Sequence, residues 1–180
     1  PQDNNDNEFF NIGGVGLEEN ASKVPVNYLT PPNILREVGV NSTANAIQLN
    51  EQALRMNFCN LKDGDAKACF KNLQFDFRQF KKLKMFFHAE QSTVPNKILE
   101  DNEISAFLRL GSDFKENYYE YEIPLKVTPA GTYTDASLVW PDSNQMIITL
   151  EDLVNAKYKR NGQRYPVNTP FVDHLPTRNI

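Results

Sequence analysis

The sequence predicts a mainly β fold with one amphipathic helix near residues 150–161. Lys81 to Glu90, KKLKMFFHAE, sets Leu83, Met85, Phe87 and Ala89 on one side of an extended chain. Lys82, Lys84, Phe86, His88 and Glu90 fall on the other, because strand side chains alternate between faces. Ser105 to Leu110 repeats that period, and so does Tyr118 to Leu125, where Tyr119, Tyr121, Ile123 and Leu125 alternate with Tyr118, Glu120 and Glu122. After Thr149 the period becomes helical: Leu150, Leu153, Val154, Lys157 and Tyr158 share a stripe. Thr149 is the expected cap, with Asp152 three residues on and Gly162 at the end.

Residues 1–50 read as an extended lead-in and connector that covers a sheet edge. Residues 1–30 are rich in Asn, Asp and Glu, and Gly13, Gly14 and Gly16 interrupt a short apolar piece that starts at Phe9, which makes weak material for a core. The glycines lack the spacing and strand-to-helix context of a dinucleotide loop. In NYLTPPNILRE, Asn27 to Glu37, Pro31 and Pro32 fix φ and push Thr30 toward an extended conformation. This stretch is predicted to be a rigid, non-helical connector anchored by Tyr28, Leu29, Ile34 and Leu35.

Residues 51–162 are expected to form a β-sandwich domain. Ala53 to Cys59 reads as a strand and Lys67 to Leu73 as its return partner around Asp63-Gly64-Asp65, which would set Cys59 opposite Cys69. Two readings of that pair stay open. One is a short-loop disulfide, contributing about 2 to 4 kcal/mol and implying an oxidising compartment; the other is two unpaired thiols. Asp76 suits the cap of a single helical turn, and Gln91 to Glu103, with Pro95, reads as a surface loop. Gly111-Ser112-Asp113 closes a hairpin-like stretch, and Ala136 to Trp140 and Met146 to Leu150 flank the turn Pro141 to Asn144. Residues 163–180 carry Pro166, Pro170 and Pro176 and read as an irregular tail.

A chain of 180 residues with a net charge of -4 suits one domain with a real core and argues against a general nucleic-acid binder. No apolar run approaches the roughly 20 residues of a membrane-spanning helix. The start at Pro1, without an initiator Met or a signal peptide, leads us to expect an excerpt from a longer chain.

No reaction centre is apparent, and neither enzymatic activity nor a cofactor is expected. His88 and His174 have no second His or Cys at metal-ligand spacing. Glu90 and Glu120 on neighbouring strands would be a glycosidase pair at a separation of roughly 5 to 10 Å. The plainer reading makes Lys82, Lys84, Arg109, Glu120 and Glu122 cross-strand charge pairs, each worth about a few tenths of a kcal/mol. Tyr118 and Trp140 are candidates for a sugar-stacking platform. The candidate interaction face comprises Phe86, His88, Glu90, Arg109, Tyr118, Glu120 and Glu122, with Phe86 and Tyr118 the aromatics expected to point outward.

The order of DFRQFKKLKMFFHAE, RLGSDFKENYYEYEIPL, VWPDSNQ and LEDLVNAKYKRNG resembles the SprA/Sov family. These are very large outer-membrane translocon proteins of type IX secretion and gliding motility in Bacteroidetes-type bacteria. The likeness runs from about Asn27 to Asn161. Where that family usually has Gly, this chain has Asn33, the next-best residue for a left-handed turn position. The resemblance implies a non-enzymatic structural or interaction segment of a giant β-barrel protein, itself not membrane-spanning, on an extracellular or periplasmic portion of the outer membrane. The partners it implies are the remainder of the barrel chain, other secretion-system proteins and secreted cargo, with no nucleic acid. The spacing of Asp76, Phe80 and Leu83 before an alternating strand is similar to the approach to galactose-binding-type jelly rolls, which favours a jelly-roll-like sandwich. A carbohydrate-binding module is the alternative function, and a glycoside hydrolase a third.

Overall fold

The structure, a computed structural model, describes residues 9–40, 46–74, 76–91 and 98–173. His174, the middle of the expected surface loop at 92–97 and the two ends of the chain lie outside the described residues. The strands are β1 (Phe9–Gly16), β2 (Val38–Val40), β3 (Ala46–Gln48), β4 (Gln52–Cys59), β5 (Lys82–Phe86), β6 (Ala89–Glu90), β7 (Ser105–Gly111), β8 (Tyr118–Pro124), β9 (Val127–Thr128) and β10 (Gln145–Thr149). The helices are α1 (Leu17–Asn20), α2 (Ala136–Val139) and α3 (Leu150–Gly162). The chain is therefore mainly β, as the alternating runs predict. Among the described residues the strands pair two by two: β1–β4, β2–β3, β5–β10 and β7–β8 antiparallel, and β6–β9 parallel. Pairwise ladders establish the class; the jelly-roll order of strands is a finer expectation that they do not carry.

The chain divides into two compact units, each assembled from segments distant in sequence. The first takes the described residues up to Gln74, then those of His88–Leu99 and Val127–Asp142. Its core contains Val15, Val26, Tyr28, Ala89, Val139 and Trp140, so part of the lead-in is core material after all. The reason is local. Asn27, itself buried, donates from Nδ2 to the Tyr133 carbonyl at 3.0 Å and accepts the Tyr133 N–H at 2.7 Å. Gly131 N donates to Pro25 O at 2.9 Å beside a parallel bridge from Val26 to Gly131. The Asn27 side chain thus satisfies both backbone groups of Tyr133, and the Gly131 N–H satisfies the Pro25 carbonyl. The connector is non-helical, and Asn33 takes φ 64°, the left-handed position expected of it. Tyr28 is a buried anchor, whereas Ile34 and Leu35 are exposed.

The predicted hairpin between Ala53–Cys59 and Lys67–Leu73 is replaced by a different pairing. β4 takes β1 as its partner, with Phe10 opposite Phe58 and Ile12 opposite Met56, and 67–73 forms no strand. Phe70 and Leu73 stand three residues apart, which puts them on opposite faces of any strand, whereas Phe10 and Ile12 of β1 share the face of Phe58 and Met56. Cys59 ends opposite Phe9, and Cys59 and Cys69 are both exposed free thiols, so the register behind the disulfide reading is absent.

The second unit takes the described residues of Phe75–Phe87, Glu100–Lys126 and Ser143–Ile180. β5 keeps the predicted alternation, with Lys82 and Lys84 exposed and Leu83 and Met85 half-buried. Its partner is β10, where Met146 and Ile148 are fully buried. The ten-residue strand expected from Lys81 to Glu90 is thus divided: β5 belongs to this unit and β6 to the other. The expected single turn is a 3-10 turn at Phe77–Gln79, closed by Gln79 N on the backbone Asp76 O at 3.2 Å. Ala136–Val139 is a helical turn capped by Asp135, whose carboxylate accepts the Ser137 N–H at 2.9 Å.

α3 begins after Thr149, although the Thr149 side chain makes no capping bond. Glu151 and Asp152 lie in its first turn and Lys159 and Arg160 in its last, complementing the helix dipole. Gly162 remains helical, and the left-handed residue just beyond the end is Arg164, φ 52°. No α3 residue is fully buried; Leu150, Leu153 and Ala156 are half-covered while Val154 and Tyr158 are exposed.

Candidate functional site

The expected interaction face is distributed over both units. In the second, β7 and β8 pair so that Phe107 faces Glu122, Arg109 faces Glu120 and Gly111 faces Tyr118. Directly opposed residues share a face, so Phe107, Arg109, Tyr118, Glu120 and Glu122 form one surface. Ala106, Leu108, Leu110, Tyr119, Tyr121 and Ile123 form the other, half-buried one. Arg109 organises the polar surface. Its Nε bonds Glu120, its Nη1 donates to Phe114 O at 2.9 Å, and its guanidinium lies 4.4 Å from the Tyr118 ring centre and 5.3 Å from that of Phe107. Stacked cation, carboxylate and rings make a rigid patch carrying both charge and aromatic area.

The loop that closes this hairpin is held by Asp113. Its carboxylate accepts the backbone N–H groups of Glu116, Lys115 and Asn117 and the Asn117 side-chain amide. Those donors, the Glu116 N–H foremost, hold the carboxyl well below its ordinary range. Phe86, also expected on the face, sits on β5 opposite Gln145 and is half-buried.

His88 and Glu90 belong to the first unit, in a half-buried polar cluster. Glu90 binds Lys23 through Oε1 and His88 Nε2 through Oε2, the latter at 3.2 Å. Lys23 Nζ also donates to Val26 O at 3.2 Å. His88 Nδ1 lies 2.9 Å from Val139 O and 3.3 Å from Thr128 Oγ1, and its ring meets Trp140 edge-on at 5.7 Å. Each ring nitrogen therefore has an oxygen within hydrogen-bond distance. Burial pushes the Glu90 carboxyl up, but the hydrogen bonds from His88 and Lys23 and their charges more than offset it, leaving the group below its ordinary value.

Sequence reasoning found His88 and Glu90 and missed their partners. Lys23, Thr128 and the Val139 carbonyl come from segments with no period-two pattern, and nothing local announces a lysine that turns inward. Trp140 is also recast. It is 6% exposed, donates from Nε1 to Leu29 O at 2.7 Å and meets Tyr28 edge-on at 6.0 Å, so it is a core residue and not an open stacking platform. Glu90 and Glu120 fall in different units, and each carboxylate is engaged by a cation. Among the described residues no three His, Cys, Asp or Glu side chains gather as metal ligands.

A family model described as motility related/secretion protein, SprA_N, matches residues 1–180, the whole of the chain. This chain belongs to the SprA_N family. No curated protein matches it. SprA_N membership makes it a motility- and secretion-related protein and associates it with the cell envelope and with partners in a larger system. Among the described residues of this SprA_N chain, no helix is long and apolar enough to cross a membrane.

Proposed function

We propose that this segment is a non-enzymatic interaction module of an outer-membrane protein-secretion translocon of the type IX kind, which also serves gliding motility. The observation that carries the reading is the β7–β8 surface, where Arg109 is clamped between Tyr118, Phe107 and Glu120, with Glu122 exposed alongside. Such a patch suits recognition of a protein surface, because its rings and charges are fixed before a partner arrives and little ordering entropy remains to be lost. Its partners would be the rest of the parent chain, other secretion-system proteins or passing cargo, on the extracellular or periplasmic side.

The polar surface is the one to perturb, since its residues are exposed or half-exposed and contribute little to the core. With Arg109→Glu and Glu122→Lys introduced into the full-length parent, we expect normal parent abundance and impaired secretion and gliding. Normal secretion and gliding in that strain, with saturable heat on titrating the chain with a polysaccharide, would replace this reading with the carbohydrate-binding one. The Tyr118 ring already carries a guanidinium on one face, which favours the protein-binding reading.

A further inference from the structure

We propose that Arg55 is the receptor for a side-chain carboxylate, Asp or Glu, carried by a polypeptide partner. The β1–β4 register sets Phe9 with Cys59, Asn11 with Asn57, Gly13 with Arg55 and Val15 with Ala53 on one face. That face runs from buried Val15 to exposed Phe9, and half-buried Arg55 stands between them. Its guanidinium lies against Gly13: a Cβ built on that glycine would be 3.9 Å from both Nε and Nη2. Nε is enclosed with no acceptor, whereas Nη1 and Nη2 reach solvent. Among the described residues no ion pair involves Arg55.

Other arginines are compensated. Arg36 donates to Leu49 O and pairs with Glu18, and Arg109 is held by Glu120 and Phe114 O. Arg160 has a similarly enclosed Nε, but it stands in the last turn of α3, where the helix dipole supplies negative charge. Arg55 is on a strand and has no such source. Covering a guanidinium without a counter-charge carries a cost and leaves it as one half of an ion pair. A carboxylate completes the pair through two parallel bonds from Nη1 and Nη2. The cation is already partly stripped of water and packed on Gly13, so its partner gains more than at a fully exposed arginine. The rest of the face fixes the kind of anion. Among its residues Arg55 is the one cation, which matches a single carboxylate, whereas a phosphate dianion calls for a second positive group. Asn11 and Asn57, next along the face, carry amides that donate and accept as peptide groups do, and Phe9 beyond them is 51% exposed. An acidic residue on an extended chain with an aromatic residue further along is complementary to that order. The site lies in the first unit, apart from the β7–β8 surface, and does not rest on the translocon reading.

The test uses the 180-residue chain and two capped peptides, acetyl-Phe-Gly-Asn-Gly-Glu-Gly-amide and the same sequence with Gln in place of Glu. Calorimetric titration measures affinity, and the Arg55 Nε–H resonance, assigned by its loss in Arg55→Met, reports where the peptide binds. The Glu peptide should bind saturably, about tenfold or more tighter than the Gln peptide, and shift that resonance. Arg55→Met should abolish the difference between the peptides. It should leave the urea midpoint unchanged or higher, because it removes a half-buried charge that has no partner. The proposal is overturned if the two peptides bind alike, if neither binds, or if Arg55→Met keeps the preference for Glu. A lower midpoint for Arg55→Met would also overturn it, by giving the guanidinium a partner within the fold. So would inorganic phosphate or acetate shifting the resonance at concentrations as low as the Glu peptide needs, which would make this a phosphate site or a free-acid site.

Discussion

The Asn144 side chain engages both backbone groups of Lys126: Oδ1 accepts the N–H at 2.8 Å and Nδ2 donates to the C=O at 2.8 Å. Asn144 is also buried, and its own carbonyl accepts the Phe87 N–H at 3.1 Å. One residue therefore stands in for a strand on two sides, as Asn27 does for Tyr133. Asn144→Ala leaves the Lys126 N–H and C=O without these bonds and should cost about 1 to 3 kcal/mol. Asn144→Asp keeps the acceptor but sets a buried carboxylate oxygen against the Lys126 C=O, so it should cost at least as much as Asn144→Ala. Urea unfolding midpoints check this order; equal midpoints for Asn144→Ala and the parent would show that water replaces the amide.

Met146 and Ile148 are the most enclosed aliphatic residues of β10. Met146→Ala or Ile148→Ala should cost about 2 to 5 kcal/mol and Ile148→Val about 0.5 to 1.5. Lys84→Ala, across the ladder from Ile147 and exposed, should change stability by less than about 0.5 kcal/mol. Thermal or denaturant unfolding of the set measures the difference.

Glu90 makes the first unit acid-sensitive. Its folded carboxyl lies below the ordinary value of 4.5, so its contribution is present above that value and is lost as pH falls through the folded one. Stability measured from about pH 6 down to about pH 3 should fall more steeply for the parent than for Glu90→Gln. Glu90→Gln should in turn be less stable at neutral pH by about 1 to 3 kcal/mol, since Lys23 and His88 keep their burial and lose their carboxylate. Parallel pH profiles would remove Glu90 from that role.

Tyr28 gives the opposite dependence. Burial, then the hydrogen bond to Glu51 at 2.7 Å, then the Glu51 charge, push its phenol well above the ordinary 10.0. Its contribution is complete below that value and declines as pH rises toward the folded one. Tyr28→Phe should lose about 0.5 to 1.5 kcal/mol at pH 7 and show less alkaline destabilisation than the parent above about pH 10. Urea midpoints at neutral and alkaline pH report both effects.

Period-two alternation located β5, β7 and β8 because each has one covered and one more open face, and in β5 the lysines mark the open one. It also put Tyr118, Glu120 and Glu122 on a single surface, since parity fixes face membership within one strand, and the β7–β8 register adds Arg109 to it. Partner choice was another matter. β4 pairs with β1 across the connector, and nothing in the short-range spacing of Ala53 to Cys59 favours Phe10 and Ile12 over a nearer return segment. Parity also failed at Phe86, His88 and Glu90, which become half-buried where the strand passes from one unit to the other. At His88 and Glu90, Lys23, Thr128 and Val139 close over the nominally open face. Asn33 was legible for the opposite reason: a left-handed turn depends on one residue's own backbone and needs no distant contact.

The division of Lys81–Glu90 between two units has a consequence for biogenesis. As the chain emerges, Lys82–Phe86 has no mate until Gln145–Thr149 follows, and Ala89–Glu90 has none until Val127–Thr128. Residues 91–126 must therefore be made before the second pairing can begin and residues 87–144 before the first, which makes assembly slow and leaves Leu83, Met85 and Phe87 exposed to misassociation meanwhile. A holding chaperone acting on this stretch would protect both units at once.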